Sequence, residues 1–138
     1  MKTLPSNFIF PAGEYYIGDL CYVLSESQWE EYCEYCSDGI FQLDCGTIFA
    51  LFSTAYGDGE YAGLSVDSGS IGCVLKSSIT KFGSEELGRF VTFENQFKCY
   101  SEYNGASLWF GEVLIDTGGI SNEEDWYEDR NEIGWYNC

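Results

Sequence analysis

Residues 47–61 have the sequence TIFALFSTAYGDGEY, and this stretch decides the fold class. Its first eight residues are mostly apolar or β-branched, which is typical of a strand in a protein core. Asp58-Gly59 then separates two aromatic-rich segments. Because both residues tolerate positive φ, an Asp-Gly pair in this position is a strong signal for a β-hairpin. The stretch therefore predicts antiparallel β-structure.

Other parts of the chain carry the same strand signals. Residues 14–24 (EYYIGDLCYVL) predict an extended segment that is interrupted at Gly18-Asp19. Residues 89–94 and 97–103, separated by Asn95-Gln96, predict a second hairpin. Residues 107–115 (SLWFGEVLI) are apolar at nearly every position, which predicts a central strand. Together these segments predict an antiparallel sheet of about six to eight strands.

One amphipathic helix is predicted near residues 27–37. Ser27 and Glu30 have the spacing of a capping box, with Ser27 as the N-cap. An apolar stripe follows at the helical spacing i, i+3, i+4 and i+7, formed by Trp29, Tyr32, Cys33 and Cys36. We expect this stripe to pack on the sheet. The predicted fold is therefore α+β and mainly β, an antiparallel sandwich or partly open barrel with one helix.

The 138 residues match the size of one domain, and we expect residues 1–138 to form a single domain. The N-terminal apolar run is interrupted by Pro5 and Pro11, so it does not resemble the apolar core of a secretory signal. We therefore expect a cytoplasmic protein in which all seven cysteines are reduced.

Charge restricts the function of the protein. Six Lys and Arg residues stand against 23 Asp and Glu residues, with no His, which gives a net charge of −17. This field repels phosphate groups, so we expect no direct binding to nucleic acid or to an anionic membrane. The lack of His removes the Ser-His-Asp and Cys-His routes of catalysis. Residues 1–60 carry one cation and ten anions, and residues 111–138 carry one and eight.

Cys33-Glu34-Tyr35-Cys36 has the CxxC spacing of zinc and redox sites. The sequence contains no second CxxC pair. Because Cys33 and Cys36 fall on the predicted apolar stripe, the pattern favours core cysteines, and a metal or redox site stays open as the alternative.

Several acidic and aromatic residues lie at glycine-rich turns. If they converge on one rim, their oxygens suit a divalent cation or hydrolysis by paired carboxylates, whereas ordinary turn chemistry explains each one separately. This candidate cluster consists of Asp19, Tyr22, Tyr56, Asp58, Glu60 and Asp67.

An apolar-Asp-Ser/Thr-Gly pattern occurs at residues 66–69 and again at residues 115–118, as in the loops of aspartic peptidases. A spacing of 49 residues is too short to give each loop a lobe of its own. We therefore expect Asp67 and Asp116 to end strands in Asx turns, and not to form a catalytic dyad.

The tail, residues 121–138, has six carboxylates interleaved with tryptophans and tyrosines. Carboxylates accelerate association with a cationic surface, and Trp and Tyr are frequent interface anchors. A terminal element whose aromatic residues pack on the core is the alternative. The predicted partner-binding residues are Glu123, Glu124, Asp125, Trp126, Tyr127, Glu128 and Asp129.

Four parts of the chain form a further pattern, namely residues 13–24 (GEYYIGDLCYVL), Trp29, residues 52–61 (FSTAYGDGEY) and residues 66–72 (VDSGSIG). Together they resemble an uncharacterised family of small acidic proteins of bacteria and their phages. The family has Gly-Asp-Pro-Cys-Tyr where this chain has Leu20 in place of the proline. The resemblance covers about half of the chain and implies an origin without implying an activity.

These observations favour a non-enzymatic acidic binding protein without a cofactor. We expect a phage-encoded inhibitor that engages a basic surface, of the type that binds nucleic acid, on a protein in the bacterial host cytoplasm. Two alternatives stay open. One is a carboxylate-based hydrolase, with or without a divalent cation, and the other is a β domain that binds a small ligand.

Overall fold

The computed structural model describes residues 1–35, 37–81 and 87–118. The described residues contain one α-helix and eleven strands, arranged in antiparallel sheets that do not close into a barrel. The predicted class, α+β and mainly β, is confirmed. The largest sheet has six strands, which lies within the predicted six to eight, and two smaller sheets of three and two strands account for the remaining ones.

The helix α1 comprises Glu26–Cys33, and short 3-10 turns comprise Leu20–Tyr22 and Lys76–Ser78. In chain order the strands are β1 (Lys2–Leu4), β2 (Gly13–Gly18), β3 (Gly39–Gln42), β4 (Ile48–Ser53), β5 (Gly59–Tyr61), β6 (Leu64–Val66), β7 (Ser70–Leu75), β8 (Arg89–Phe93), β9 (Cys99–Glu102), β10 (Ser107–Phe110) and β11 (Val113–Asp116). A six-stranded sheet has the order β1-β3-β4-β7-β2-β8, a three-stranded sheet has the order β11-β10-β9, and β5 pairs with β6.

The six-stranded sheet is covered on both faces. Successive side chains of a strand point to opposite faces, so Tyr15 and Ile17 of β2 join one apolar core and Tyr16 joins the other. The core around Tyr15 includes residues of the three-stranded sheet and of β6. The core around Tyr16 includes the helix residue Tyr32. The domain is thus a sandwich whose large sheet is covered by a small sheet on one face and by the helix on the other.

The N-cap of the helix is Ser25, two residues before the predicted N-cap. The Ser25 hydroxyl accepts a hydrogen bond from the Gln28 backbone N–H at 3.2 Å, and the Gln28 side chain accepts one from the Ser25 N–H at 2.8 Å. This capping box replaces the one predicted for Ser27 and Glu30. Both serines are followed three residues later by a side chain that can close the box, so the sequence pattern alone does not distinguish them.

The predicted apolar stripe of α1 is only partly buried. Tyr32 is buried with its ring centroid 5.8 Å from that of Phe41, and Trp29 is half-buried. Cys33 is exposed, so the prediction that it belongs to the core is wrong. Cys33 is the last residue of the short helix, and the preceding residue, Tyr32, makes the ring contacts with the sheet. Cys36 lies outside the described residues.

Both predicted hairpins are wrong, because long-range pairing overrides the local turn signals. β4 pairs with β7, and Gly59 begins β5 instead of forming a turn with Asp58. The turn between β5 and β6 lies at Ala62-Gly63, where φ is 54° and 84°. The strands on either side of Asn95-Gln96 also separate, since β8 pairs with β2 and β9 with β10.

Residues 107–115 form two strands and not one. Gly111, with φ of 62°, lies in the turn that reverses the chain between β10 and β11. A side chain at Gly111 would come within 2.8 Å of the Phe93 ring, so the turn also requires a residue without Cβ. β10 is the central strand of the small sheet, as predicted for this apolar segment.

We expect the substitution Ser25→Ala to lower the free energy of unfolding by about 1 kcal/mol, because it removes the capping oxygen. Ser27→Ala is the matched control, since Ser27 is exposed, and we expect it to change stability by less than about 0.5 kcal/mol. Urea unfolding followed by circular dichroism measures both values. A larger effect at Ser27 than at Ser25 would contradict this assignment of the N-cap.

Candidate functional site

Asp19 is the centre of the candidate cluster. It follows β2 directly, and its side chain is fully buried, with 0% exposure. One carboxylate oxygen, Oδ1, accepts hydrogen bonds from the Cys21 backbone N–H at 3.0 Å and from the Ser68 hydroxyl at 2.8 Å. The other oxygen, Oδ2, accepts from the backbone N–H groups of Asp67 at 2.7 Å and Ser68 at 2.6 Å. Asp19 therefore joins the 3-10 turn after β2 to the loop between β6 and β7.

Two glycines bring these segments together. Gly18 of β2 lies opposite Gly72 of β7 in the sheet. A Cβ at Gly72 would lie 2.5 Å from the Ala50 carbonyl oxygen and 2.6 Å from the Leu20 side chain, so only glycine fits there. This close approach places the loop before β7 over the turn after β2, within reach of the Asp19 carboxylate.

Tyr22 and Asp67 form a second link between the same segments. The Tyr22 hydroxyl donates a short hydrogen bond to the Asp67 carboxylate. Partial burial, followed by this hydrogen bond, raises the pKa of the Tyr22 hydroxyl. Lys81 lies close by, and its Nζ donates to the Cys21 carbonyl oxygen at 3.0 Å. The two segments are therefore joined through side chains as well as through the buried carboxylate.

The other three residues of the candidate cluster do not join this network of hydrogen bonds. Tyr56 is exposed in the loop after β4, and Glu60 is exposed on β5. Asp58 is exposed beside Gly69, where a Cβ built on the glycine would lie 3.8 Å from the Asp58 Oδ1 atom. The structure thus brings Asp19, Tyr22 and Asp67 together and leaves the remaining residues on the neighbouring surface.

The chemistry of this cluster is structural. Both oxygens of Asp19 are occupied by protein donors in a buried environment, so the carboxylate has no free oxygen that faces a substrate or a cation. Within residues 1–35, 37–81 and 87–118, no three His, Cys, Asp or Glu residues are arranged to hold a metal ion. We conclude that the buried carboxylate stabilises the two loops.

The two aspartates of the repeated motif have different partners. The Asp116 Oδ1 atom accepts a hydrogen bond from the Gly118 backbone N–H at 3.0 Å, which is the Asx turn that we predict for a strand end. Asp67 instead accepts from Tyr22 and donates its own N–H to Asp19. The Asx turn is therefore confirmed at Asp116 and is wrong at Asp67.

The described cysteines have contrasting environments. Cys73 of β7 and Cys99 of β9 are buried in the core, and burial raises the pKa of the Cys73 thiol well above its usual value. Burial and a hydrogen bond with Asp19 raise the pKa of Cys21 to about 12. Cys45 is exposed, and the hydrogen bond with Thr47 lowers the pKa of its thiol.

The exposed side of α1 carries an acidic stripe. Glu26, Glu30 and Glu34 follow one another at the i, i+4 and i+8 positions, and all three are exposed. The predicted partner-binding residues, Glu123, Glu124, Asp125, Trp126, Tyr127, Glu128 and Asp129, lie outside the described residues. The acidic stripe of α1 is a feature that the sequence analysis missed, although the four-residue spacing of the three glutamates signals it.

The outer face of the small sheet carries large apolar side chains, which the sequence analysis also missed. Tyr100 of β9 lies opposite Trp109 of β10, which in turn lies opposite Leu114 of β11. Tyr100 is 46% exposed and Leu114 is 44% exposed, while Trp109 is half-buried. The alternation of exposed and buried residues along these strands is the sequence signal for this row.

We expect Asp19→Asn to destabilise the protein by about 2–4 kcal/mol. The substitution replaces one carboxylate oxygen by an NH₂ group, which cannot accept the hydrogen bonds that the backbone N–H groups donate, and it removes the charge of the acceptor. Asp58→Asn is the matched control on the neighbouring loop, and its expected effect is below about 0.5 kcal/mol. Chemical denaturation of both variants tests this difference. Equal stabilities of the two variants would show that the buried carboxylate does not hold the loops.

The thiol environments predict an order of alkylation in the folded protein. Cys45 should react with iodoacetamide faster than Cys21, because the thiolate is the reactive form and the pKa of Cys45 is lowered. Cys73 and Cys99 should react only after unfolding, because they are buried. Peptide mass spectrometry after timed labelling measures each rate. Labelling of Cys73 at the rate of Cys45 would contradict the packing described above.

Two further findings concern membrane-spanning helices and similarity to known proteins. Among the described residues, no helix is long and apolar enough to cross a membrane. Comparisons of the chain with protein-family models, with curated proteins and with solved structures find no match.

Proposed function

We propose that the protein is a non-enzymatic acidic binding protein that occupies a basic surface of another protein. The observation that carries this proposal is a large excess of negative charge, part of which lies on the exposed side of a helix. The net charge is −17, and the acidic stripe of α1 presents Glu26, Glu30 and Glu34 to solvent. The salt bridges within the described residues do not include these three glutamates.

Three of the described cations have partners other than the acidic stripe. Lys76 lies 3.6 Å from Glu14, and Lys81 and Arg89 donate to the carbonyl oxygens of Cys21 and Ala62. None of these contacts involves a glutamate of the acidic stripe, and the Met1 ammonium group pairs with another glutamate of the helix, Glu31, at 3.1 Å. The field of the protein is therefore strongly negative over the exposed side of the helix, which favours encounters with cationic surfaces.

The tail supplies contact area to the proposed interaction. Glu123, Glu124, Asp125, Glu128 and Asp129 add charge, and Trp126 and Tyr127 are the residue types that most often anchor an interface. We propose that the partner is a host protein whose basic surface normally binds nucleic acid. The acidic protein, encoded by a phage and acting in the bacterial cytoplasm, would compete with the nucleic acid by presenting carboxylates where phosphates would bind.

A second candidate function is the binding of a small ligand between the sheets. A groove of about 510 Å³ lies between β8 and the turn that joins β10 to β11. Its apolar lining includes Val91, Phe93 and Val113, and its polar lining includes Glu94 and Lys98. This volume lies within the usual range for ligand pockets. The carboxylate hydrolase is less well supported, because the Asp19 carboxylate is occupied by protein donors.

The first test is a pull-down from a bacterial lysate, followed by kinetic measurement of the recovered partner at salt concentrations from about 50 mM to about 500 mM. We expect affinity to fall as salt rises, because the attraction between the two charged surfaces is screened. Reversal of Glu123, Glu124 and Asp125 to Lys should slow association more than it accelerates dissociation.

The acidic stripe provides the matched control for this charge reversal. Replacing Glu26, Glu30 and Glu34 by Lys changes the net charge by the same amount on the exposed side of α1. We expect a smaller decrease in the association rate, because steering is strongest for charges next to the contact. An affinity that is constant from low to high salt would rule out the electrostatic proposal and favour the groove.

A further inference from the structure

The outer face of the small sheet has two parallel rows of side chains with different chemistry. The first row, called here the apolar row, consists of Tyr100, Trp109 and Leu114. The second row, called the acidic row, lies two residues further along each strand and consists of Glu102, Ser107 and Asp116. Because every second residue points to the same face, the two rows are about 7 Å apart.

The apolar row is held in a fixed arrangement. The rings of Tyr100 and Trp109 stack with their centroids 6.1 Å apart and their planes within 20°. The Trp109 indole Nε1–H donates to the Glu102 carboxylate at 3.1 Å, so the acidic row also orients the ring. An indole that is oriented before binding loses less conformational entropy when a partner contacts it.

This face has no covering element in residues 1–35, 37–81 and 87–118. The inner side of the same strands, with Leu108, Phe110 and Ile115, forms the core, whereas Tyr100 and Leu114 are each more than 40% exposed. Exposed aromatic and aliphatic side chains in one contiguous row are typical of an interaction surface.

We propose that the outer face of the small sheet binds an arginine-bearing segment of the basic partner. This inference rests on the proposed function and adds a second contact surface to the tail. The guanidinium plane would lie on the Trp109 ring, where a cation is attracted by the π-electrons. Its N–H groups would reach Glu102 or Asp116 in the acidic row, and the apolar row would contact the aliphatic part of the partner.

Charge identifies the occupant of this face. A second copy of the chain would bring two acidic rows and two net charges of −17 together, which repels self-association. A cationic segment complements the acidic row. Arginine suits this surface better than lysine, because its planar group stacks on an aromatic ring while it bonds to a carboxylate.

The test uses two synthetic peptides of equal charge, one with an Arg-Val-Arg centre and one with a Lys-Val-Lys centre. Each is titrated into the full-length ¹⁵N-labelled protein at low salt, and the indole N–H signal of Trp109 is followed by NMR after assignment with Trp109→Phe. We expect the arginine peptide to shift this signal in a saturable manner and the lysine peptide to bind at least about threefold more weakly.

A pair of double variants locates the contact. Tyr100→Ser with Leu114→Ser removes two members of the apolar row, and we expect the affinity for the arginine peptide to fall by about tenfold or more. The control is Tyr35→Ser with Ile9→Ser, which removes an exposed tyrosine and an exposed aliphatic residue elsewhere. The control should change the affinity by less than about twofold. Thermal denaturation of both double variants verifies that they are folded.

Three outcomes would overturn the inference. They are an unshifted Trp109 signal, equal effects of the two double variants, and sedimentation that shows self-association through the apolar row. These outcomes are distinguishable from failure of the proposed function. If the recovered partner binds in a salt-dependent way but is unaffected by Tyr100→Ser with Leu114→Ser, the electrostatic function stands and the assignment to this face falls.

Discussion

The buried carboxylate of Asp19 is the interaction on which the arrangement of the central loops depends. A charged group inside a protein is costly unless hydrogen bonds satisfy it, and Asp19 accepts them from Cys21, Asp67 and Ser68. These donors belong to two segments that are 48 residues apart in the chain. The exposed bond between Tyr22 and Asp67 follows from the same contact, since it requires both segments to lie in place.

The helix and the small sheet, which pack on opposite faces of the large sheet, present different surfaces to solvent. The helix buries the side that carries Tyr32, so its outer side presents the acidic stripe of α1 and few large apolar groups. The small sheet buries every second residue, so its outer face presents the apolar row beside the acidic row. Charge is therefore present on both surfaces, but only the small sheet combines it with an ordered aromatic contact.

The class of the fold could be predicted from sequence because strand periodicity and aromatic content are local properties. The pairing of strands could not, since the Asp58-Gly59 turn signal is weaker than the contact that joins β4 to β7. The role of Asp19 was missed for the same reason, because its donors at Asp67 and Ser68 come from a distant segment. The apolar row could have been found, as Tyr100, Trp109 and Leu114 follow from strand alternation once the turn at Gly111 is recognised.

Under the proposed function, the large negative charge would link the stability of the fold to the binding of the basic partner. Repulsion among exposed carboxylates destabilises the compact state, and a cationic partner relieves this repulsion when it binds. Added salt screens the same repulsion, so it stabilises the free protein while it weakens the complex. The two effects of salt have opposite signs because screening weakens repulsion within the chain in the first case and attraction between the two proteins in the second. A charge of −17 on 138 residues therefore opposes the compact state, and the proposed basic partner would relieve that opposition by neutralising part of the charge.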